Sequence, residues 1–352
     1  MFYFIPIEPL EERYTEQWYR WFPAILKKRR IDYRVIDGEA LSEKVVSGTF
    51  LDINSTLHYK AEQLKVIARL FFLNKIKDGD IFFVADLEFW GIESIRYLAD
   101  LNNISVKIFG FMHAGSYTRE DFMETCQSYA KVFEKGWFRI CDKVFVGSEY
   151  HKDQIEKVRR VGYDKIQVTG NPYNIKEVKE QVGFFKKKNQ VVLTNRPDYE
   201  KRPNLSLNVF SILHRKYPDW EFIVTTGREK WGKGWIREMA VDMEHKGIIT
   251  IKENLSKKEY LTILAESKVM VSNSIEENFG YCILEACVFN TIPIVEDNYS
   301  HPELLDKDKR CLFKGINDQI IKVEDAMFSP FKVSSYAQKY EKSLNKIIDE
   351  CL

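Results

Sequence analysis

The segment Ser272–Pro293 reads SNSIEENFGYCILEACVFNTIP. An apolar run, KVMV from Lys268, leads into it, so Glu277 falls on a loop that leaves a strand. Glu285 lies eight positions on, inside a helical stretch. The backbone amides of Asn278 to Tyr281 open that helix, and amides at a helix start form a ready site for a phosphate. Gly280, within Phe279-Gly280-Tyr281, removes a side chain where a sugar and its phosphates must approach. Paired carboxylates also occur in glycoside hydrolases, which hold them ~5–5.5 Å or ~6.5–9.5 Å apart. Eight residues of continuous helix span about 12 Å. That spacing suits two distant parts of one ligand better than acid/base work on one bond. Acceptors for hydroxyl groups on either side of a diphosphate cradle are what a nucleotide-sugar needs.

Working outward, short β-rich apolar runs alternate with helical periodicity, the pattern of α/β units around parallel sheets. Candidate strands begin at Phe2, Tyr33, Ile81, Val106, Lys143 and Lys165, with helices over Thr15–Lys28, Lys60–Lys77, Ile92–Asn102 and about Glu120–Cys141. The stretch IKEVKEQVGFFKKKNQ, 175–190, is charged and reads as a linker. Strands then restart at Val191, Glu221, Ile248, Lys268 and Thr291, and Ser334–Leu352 reads as a helix. The chain of 352 residues exceeds one comfortable core. The expected domains are 1–174 and 191–333, with a final helix over 334–352. Ligands of open α/β sheets bind outside the carboxyl ends of the strands.

Lys plus Arg number 53 against 52 Asp plus Glu, a net charge of +1. That balance argues against a nucleic-acid field over the whole surface and leaves room for a local basic patch. Hydrophobic residues at 45% and charged residues at 30% describe a folded, soluble chain. No apolar run approaches the ~20 residues that span a bilayer. The start, MFYFIPIEPLEERY, has neither the basic nor the long apolar region of a secretory signal. Cys126, Cys141, Cys282, Cys287, Cys311 and Cys351 form no CxxC pair. They read as buried thiols in a reducing cytoplasm rather than a disulfide or metal framework.

The restart strand ends in TNRPDYEKRPNL, where Arg196 and Lys201 lie five apart on a proline-stiffened loop. Two fixed cations there can neutralise phosphates and the charge that grows on a departing diphosphate. A solvated loop with ordinary surface charge is the other reading of that spacing alone. Glu285 has apolar neighbours in Ile283, Leu284 and Ala286, so its charge needs a partner. A ligand is the simpler account, and a local cation the alternative. His113 ends the strand VKIFGFM, and Asp86 and Glu88 follow IFFV. These two acids are candidates to touch an acceptor hydroxyl; favourable acids at a helix N-terminus are the competing reading.

These stretches resemble glycosyltransferase family 4, retaining enzymes of GT-B fold (glycosyl transferases group 1). The resemblance covers nearly the whole chain, strongest over Val191 to Pro302 and weakest before Ser105. It implies an α/β fold of two Rossmann-like domains facing across a cleft, with a C-terminal helix crossing back to the first. It also implies transfer of a sugar from a nucleoside diphosphate-sugar with retention, without a catalytic metal, a covalent enzyme intermediate or a cofactor beyond that co-substrate. Arg196, Lys201, Glu277 and His113 would be catalytic, with Glu277 on hydroxyls of the donor sugar and His113 near the reacting carbon. Glu285 would hold the ribose hydroxyls, and Asn278, Phe279, Gly280, Tyr281, Thr226 and Gly227 would complete the donor site. His151 and Asn171 match the family mainly as structural positions.

Two departures stand out. Family members commonly have a glycine before the next strand, where this chain has Phe289-Asn290-Thr291-Ile292-Pro293. They also carry a glycine-rich turn after the first strand, where this chain reads IPIEPLEERYT with Glu8, Glu11, Glu12 and Arg13. Arg13 is a candidate to replace the missing amides; a helix cap on a solvated face is the other reading. The acceptor stays open between a glycan, a lipid-linked glycan and a hydroxymethylated base in DNA, the last as in phage-type DNA modification. The aromatic and basic mixture of Tyr14 to Arg30 would suit an anionic membrane or a nucleic-acid backbone, and equally a plain amphipathic helix. A cytoplasmic location follows, in the host if the enzyme is a phage product, with peripheral membrane contact as one reading. An inactive nucleotide-sugar-binding or regulatory protein on the same fold is the alternative function.

Overall fold

The computed structural model describes residues 1–10, 13–41, 52–119, 122–226 and 234–352, and the chain divides into two units. Unit 1 comprises Met1–Pro172 with Lys342–Leu352, and unit 2 comprises Tyr173–Glu341.

In unit 1 the strands are β1 (Phe2–Ile5), β2 (Tyr33–Val35), β3 (Ile81–Val84), β4 (Lys107–Phe111), β5 (Lys143–Val146) and β6 (Ile166–Val168). They form one parallel sheet in the order β2-β1-β3-β4-β5-β6. Its helices are α1 (Tyr14–Lys28), α2 (Ile53–Phe72), α3 (Ile92–Leu101), α4 (Gln127–Ile140) and α5 (Glu149–Arg159). Strands covered on both faces read as unbroken apolar runs, which is why FYFI and IFFV are buried along their whole length. Alternation still sorts their side chains. Phe4 and Phe83 stack on Phe22 of α1, each at 4.5 Å between ring centres. Tyr3, Ile5, Phe82 and Val84 point the other way, into a core shared with Ile67, Ile95 and Phe138.

Helix α1 corrects one expectation. Trp18, Trp21, Phe22 and Leu26 recur at helical spacing and are buried, so three of the five aromatic residues of Tyr14 to Arg30 serve the core, while Tyr14 and Tyr19 are half-buried. The exposed positions are Arg20, Ala24, Lys27, Lys28 and Arg30. Among the described residues of α1, Trp18, Trp21 and Phe22 are therefore not available to stack bases or enter a membrane. Helix α2 starts earlier than the expected Lys60, because Asp52 caps it by accepting from Asn54 N (3.1 Å) and Ser55 N (3.2 Å).

Unit 2 contains α6 (Ile175–Val182), β7 (Gln190–Leu193), α7 (Pro203–Lys216), β8 (Glu221–Thr225), α8 (Gly234–His245), β9 (Thr250–Lys252) and α9 (Lys257–Glu266). It continues with β10 (Val269–Ser272), α10 (Tyr281–Val288), β11 (Ile292–Glu296), α11 (His301–Leu304), β12 (Leu312–Phe313), α12 (Ile316–Phe328) and α13 (Ser334–Gln338). The sheet is parallel in the order β12-β11-β10-β7-β8-β9. The stretch expected as a linker over 175–190 begins instead with α6, whose Ile175 and Val178 are buried. The expected single helix over 334–352 is two: α13, and α14 (Ser343–Cys351), which belongs to unit 1. There Glu350 accepts from Lys143 (2.8 Å) and Gln167 (2.5 Å), Asp349 pairs with Arg29 (2.6 Å), and Ile347, Ile348 and Cys351 are buried.

One buried amine gives this unit a pH dependence. Lys187 donates to Ser267 O (2.6 Å) and Thr291 Oγ1 (2.7 Å), and burial pushes its ammonium down to about 7. The unfolded value is near ~10.4. Between those two values the unfolded chain holds a proton that the folded chain has released, so stability rises with pH across the window. Thermal melts of wild type and Lys187→Met from pH 7 to 9.5 are expected to converge or cross as wild type gains. Parallel curves would contradict the burial of a charge there.

Candidate functional site

The strand orders place a topological switch in each sheet. In unit 2 the chain runs from β7 outward to β8 and β9, then returns to β10 on the other flank of β7. A ligand crevice in an open α/β sheet lies at the carboxyl ends of such strands. The loops that leave β7 and β10 are therefore neighbours, although 75 or so residues separate them along the chain. Leu193 and Val271 are register partners at the strand ends. Ile275 N donates to Glu200 O (2.7 Å), and Asn195 Nδ2 to Ser272 Oγ (2.7 Å), which ties the two loops together.

Lys201 ends the turn Tyr199–Lys201 and reaches across. Its ammonium donates to Ser274 Oγ (3.1 Å), Glu276 O (3.2 Å) and Glu277 Oε2 (3.2 Å), which accounts for all three of its protons. Burial pulls the ammonium down, but the Glu277 and Glu200 carboxylates outweigh it and hold the pKa above the ordinary lysine value. Arg196 pairs with Asp198 (2.8 Å) and Glu200 (3.2 Å). Burial pushes the Glu200 carboxyl up, against the pull of Lys201 and Arg196. The β10 loop is fixed from behind by Asn273. Its amide exchanges two 3.0 Å hydrogen bonds with the buried Gln319 of α12 and accepts from Ser206 of α7 (2.7 Å).

Gly280 caps α10 with φ +96, a left-handed conformation that favours glycine. A Cβ there would meet Ile283 Cδ1 at 3.1 Å and Glu277 Cγ at 3.4 Å. The glycine therefore serves the backbone turn and the position of Glu277. Phe279 is buried edge-on against Tyr281 (5.3 Å) and Tyr340 (5.0 Å). Glu285, one turn into α10, is 3% exposed. Its two oxygens accept from Lys257 (2.5 Å) and Tyr260 (2.8 Å), both on α9. Its charge also adds to burial in raising the phenols of Tyr173 and Tyr260 well above the usual range.

The switch of unit 1 lies between β1 and β3. Asp86 and Glu88 leave β3, and Lys60 of α2 reaches both, at 3.6 and 3.9 Å, while donating to Glu88 O. His113 leaves β4, with its Nε2 2.9 Å from Ala85 O and its ring among Phe111 (4.8 Å), Trp18 (5.0 Å) and Tyr14 (5.1 Å). Burial lowers its pKa, opposed by Asp86 and the hydrogen bond with Ala85 O, so the imidazole is neutral near pH 7. The loop after β1 is held by Glu8, 1% exposed, which accepts from Ser55 (3.0 Å) and Thr56 (2.5 Å) in the first turn of α2. A helix N-terminus favours such a carboxylate.

A family model described as glycosyl transferases group 1 matches residues 174–327. This stretch is similar to glycosyl transferases group 1. It takes in β7, β10 and α10, and with them Arg196, Lys201, Glu277 and Glu285. The O-antigen chain mannosyltransferase RfbU of Salmonella typhimurium is 27% identical over 170 residues, 48% of this chain and 46% of that protein. The chain thus spans about half the length of that curated relative. Among solved structures, the sucrose-phosphate synthase of Thermosynechococcus elongatus aligns over 98% of this chain and 94% of its own, with a TM-score of 0.66 at 12% identity. The pneumococcal O-GlcNAc transferase GtfA, solved with UDP and GlcNAc, aligns over 81% of this chain and 58% of its own (TM-score 0.56, 13% identity). A TarM mutant of S. aureus in complex with UDP aligns over 82% and 56% (0.52, 18%). The fold is GT-B.

Against the sequence reading of this GT-B chain, Lys201 and Glu277 come together, with Arg196 on the same loop as Lys201. The argument that Glu285 requires a ligand to offset its charge does not hold, since Lys257 supplies the cation. Helix α10 begins only at Tyr281, so the continuous-helix distance between Glu277 and Glu285 does not apply to their separation. Asp86 and Glu88 lie before Gly91, which caps α3, so they are not acids of its first turn but partners of Lys60. Thr226 directly follows β8, its amide donating to Lys252 O (3.0 Å), whereas Gly227, Glu11 and Glu12 lie outside the described residues. Arg13 caps α1 through its backbone, with no side-chain capping bond.

The sequence reading missed the third loop at this switch, after β11. Ser300 donates from N to Glu277 O (3.3 Å) and from Oγ to Phe279 O (3.1 Å), clamping the segment before α10. His301 is fully buried, with Nδ1 2.9 Å from Glu296 O and no hydrogen-bond partner for Nε2 among the described residues. Burial lowers its pKa, opposed by the Glu277 charge, which leaves a neutral imidazole beside the site.

Proposed function

We propose that this protein is a glycosyltransferase that moves a sugar from a nucleoside diphosphate-sugar to an acceptor hydroxyl with retention of configuration. The observation that carries the reading is the Lys201–Glu277 pair at the β7/β10 switch of the stretch similar to glycosyl transferases group 1. In the ligand-free state both cations are neutralised by the protein, Lys201 by Glu277 and Arg196 by Asp198 and Glu200. A diphosphate entering here exchanges carboxylate partners for phosphate oxygens, and Glu277 is released to accept from sugar hydroxyls. Lys201, Arg196 and the first amides of α10 then face the charge that grows on the leaving diphosphate. Glu285 is assigned to the ribose hydroxyls. In unit 1, His113 is assigned to sugar contact and Asp86 and Glu88 to an acceptor hydroxyl.

The acceptor is read as a glycan, free or lipid-linked. The similarity to an O-antigen chain mannosyltransferase supports it. A hydroxymethylated base in DNA loses its main support, because Trp18, Trp21 and Phe22 of α1 are buried. A panel of UDP-, GDP- and dTDP-sugars, read by thermal shift and then by release of nucleoside diphosphate, tests the reading. One donor is expected to raise Tm and to be turned over with a glycan acceptor. Stabilisation without turnover across glycan, lipid-extract and hydroxymethylated-DNA acceptors would favour the inactive binder instead.

A further inference from the structure

Helices α2 and α3 carry crossovers in one direction, β2 to β3 and β3 to β4. Right-handed connections therefore set them side by side on the same face of the unit 1 sheet. Their inner sides share a core, Ile67, Leu70 and Phe71 from α2 with Ile92, Ile95 and Ala99 from α3. Their outer sides face solvent and differ in charge. On α2, Lys65, Ala68, Arg69 and Phe72 fall at i, i+3, i+4 and i+7, a single stripe, and all are exposed. On α3, Glu93, Tyr97, Asp100 and Leu101 fall at i, i+4, i+7 and i+8, and these too are exposed. Phe72 is 83%, Tyr97 63% and Leu101 65% exposed. Local pairing engages the charges only weakly. Lys65 meets Glu62 at 3.4 Å and Asp100 meets Arg96 at 4.0 Å, exposed pairs within one helix that contribute little. Glu93 accepts from Trp137 Nε1 (3.2 Å) through one oxygen, and Arg69 has no acidic partner among the described residues.

The two stripes complement each other in sign, length and level. Both helices run from the carboxyl to the amino edge of the sheet, so they are parallel and end together at Phe72 and Leu101. Lys65 to Phe72 rises about 10 Å, and Glu93 to Leu101 about 12 Å. A twofold axis lying between the helices and parallel to them lays α2 of one copy along α3 of another at the same level. Counted back from the shared edge, Phe72 then meets Leu101 and Tyr97 of the second copy, Arg69 meets Asp100, and Lys65 meets Glu93. Every contact occurs twice, as an isologous interface requires. A partner of one charge sign would be repelled by one of the two helices, whereas a second copy is repelled by neither. We propose that the outer faces of α2 and α3 form a homodimer interface. It lies toward the amino edge of the sheet, away from the carboxyl edge that carries His113, Asp86 and Glu88. The proposal is independent of the donor chemistry, and its test needs no sugar.

Sedimentation equilibrium of the full chain from about 1 to about 100 μM is the test. The mass is expected to rise from 41.6 kDa toward twice that value, and high salt is expected to weaken association. Arg69→Glu alone and Asp100→Arg alone should each weaken it at least about tenfold, because each sets like charges against each other twice per dimer. An equimolar mixture of the two single variants should recover most of the association. In that mixed pair Glu at 69 faces Arg at 100, and the native Arg69 and Asp100 still meet. Only α2 set on α3 of another copy predicts this rescue in trans. Phe72→Ser with Leu101→Ser should weaken association at least about tenfold while the melting curve stays cooperative. Phe184→Ser, at an exposed ring of unit 2, should leave it unchanged. A monomer throughout the concentration range would overturn the proposal. So would a dimer indifferent to the α2 and α3 changes, or a mixture no more associated than the single variants.

Discussion

Lys201→Ala is expected to lower the transfer rate by about 10²–10³, the loss typical of removing one preorganised contact to a developing charge. The structure adds a second effect. Lys201 bridges the β7 loop to Ser274, Glu276 and Glu277, so its removal also leaves the Glu277 carboxylate without its cation in a partly buried place. A lower Tm is therefore expected alongside the lost rate. The double variant Lys201→Ala, Glu277→Gln separates the two, because neutralising Glu277 relieves the stranded charge. It should recover much of the Tm and none of the rate. Turnover of Lys201→Ala at the wild-type level with saturating donor would remove the site from consideration. Recovery of rate in the double variant would reduce Lys201 to a tether.

Glu285→Ala has the largest expected effect on stability. Its removal strands Lys257 and Tyr260, and breaking a buried pair by deleting one partner costs about 3–5 kcal/mol. Lys257 is 23% exposed and can turn to water, which sets the expectation at the low end, about 3 kcal/mol by urea titration. Glu285→Gln keeps an oxygen for Tyr260 and should cost less. The ligand role is read separately. If Glu285 holds ribose hydroxyls, Glu285→Gln weakens binding of the nucleoside diphosphate but not of its 2′,3′-dideoxy analogue. Equal weakening of both would assign the residue to the scaffold alone.

Much of the fold was legible because parallel strands buried on both faces spell out apolar runs, as in VVL, FIV and VMV. Strand β12 was not, since Leu312–Phe313 is only two residues, between Cys311 and Lys314, at the sheet edge. The first turn of α2 was missed because Asn54, Ser55 and Thr56 carry no apolar period, and only the Asp52 cap fixes the start. At the site, adjacency of β7 and β10 made Lys201 and Glu277 a pair that motif spacing could anticipate. Lys257 left no local signal, because α9 reaches Glu285 through tertiary packing rather than sequence proximity. His301 was hidden for a similar reason. It sits in a short turn, Ser300-His301-Pro302, that reads as a helix start.

The placement of α14 has a practical corollary. The last eleven residues, Lys342–Leu352, are grouped with Met1–Pro172, where Lys143, Gln167 and Arg29 hold them. A fragment cut after Pro172 would be missing a wall of its own interior, with Ile347, Ile348 and Cys351 gone from it. Expression of the N-terminal half by itself therefore calls for grafting this peptide back, and proteolytic trimming of the tail would injure the portion of the protein translated first.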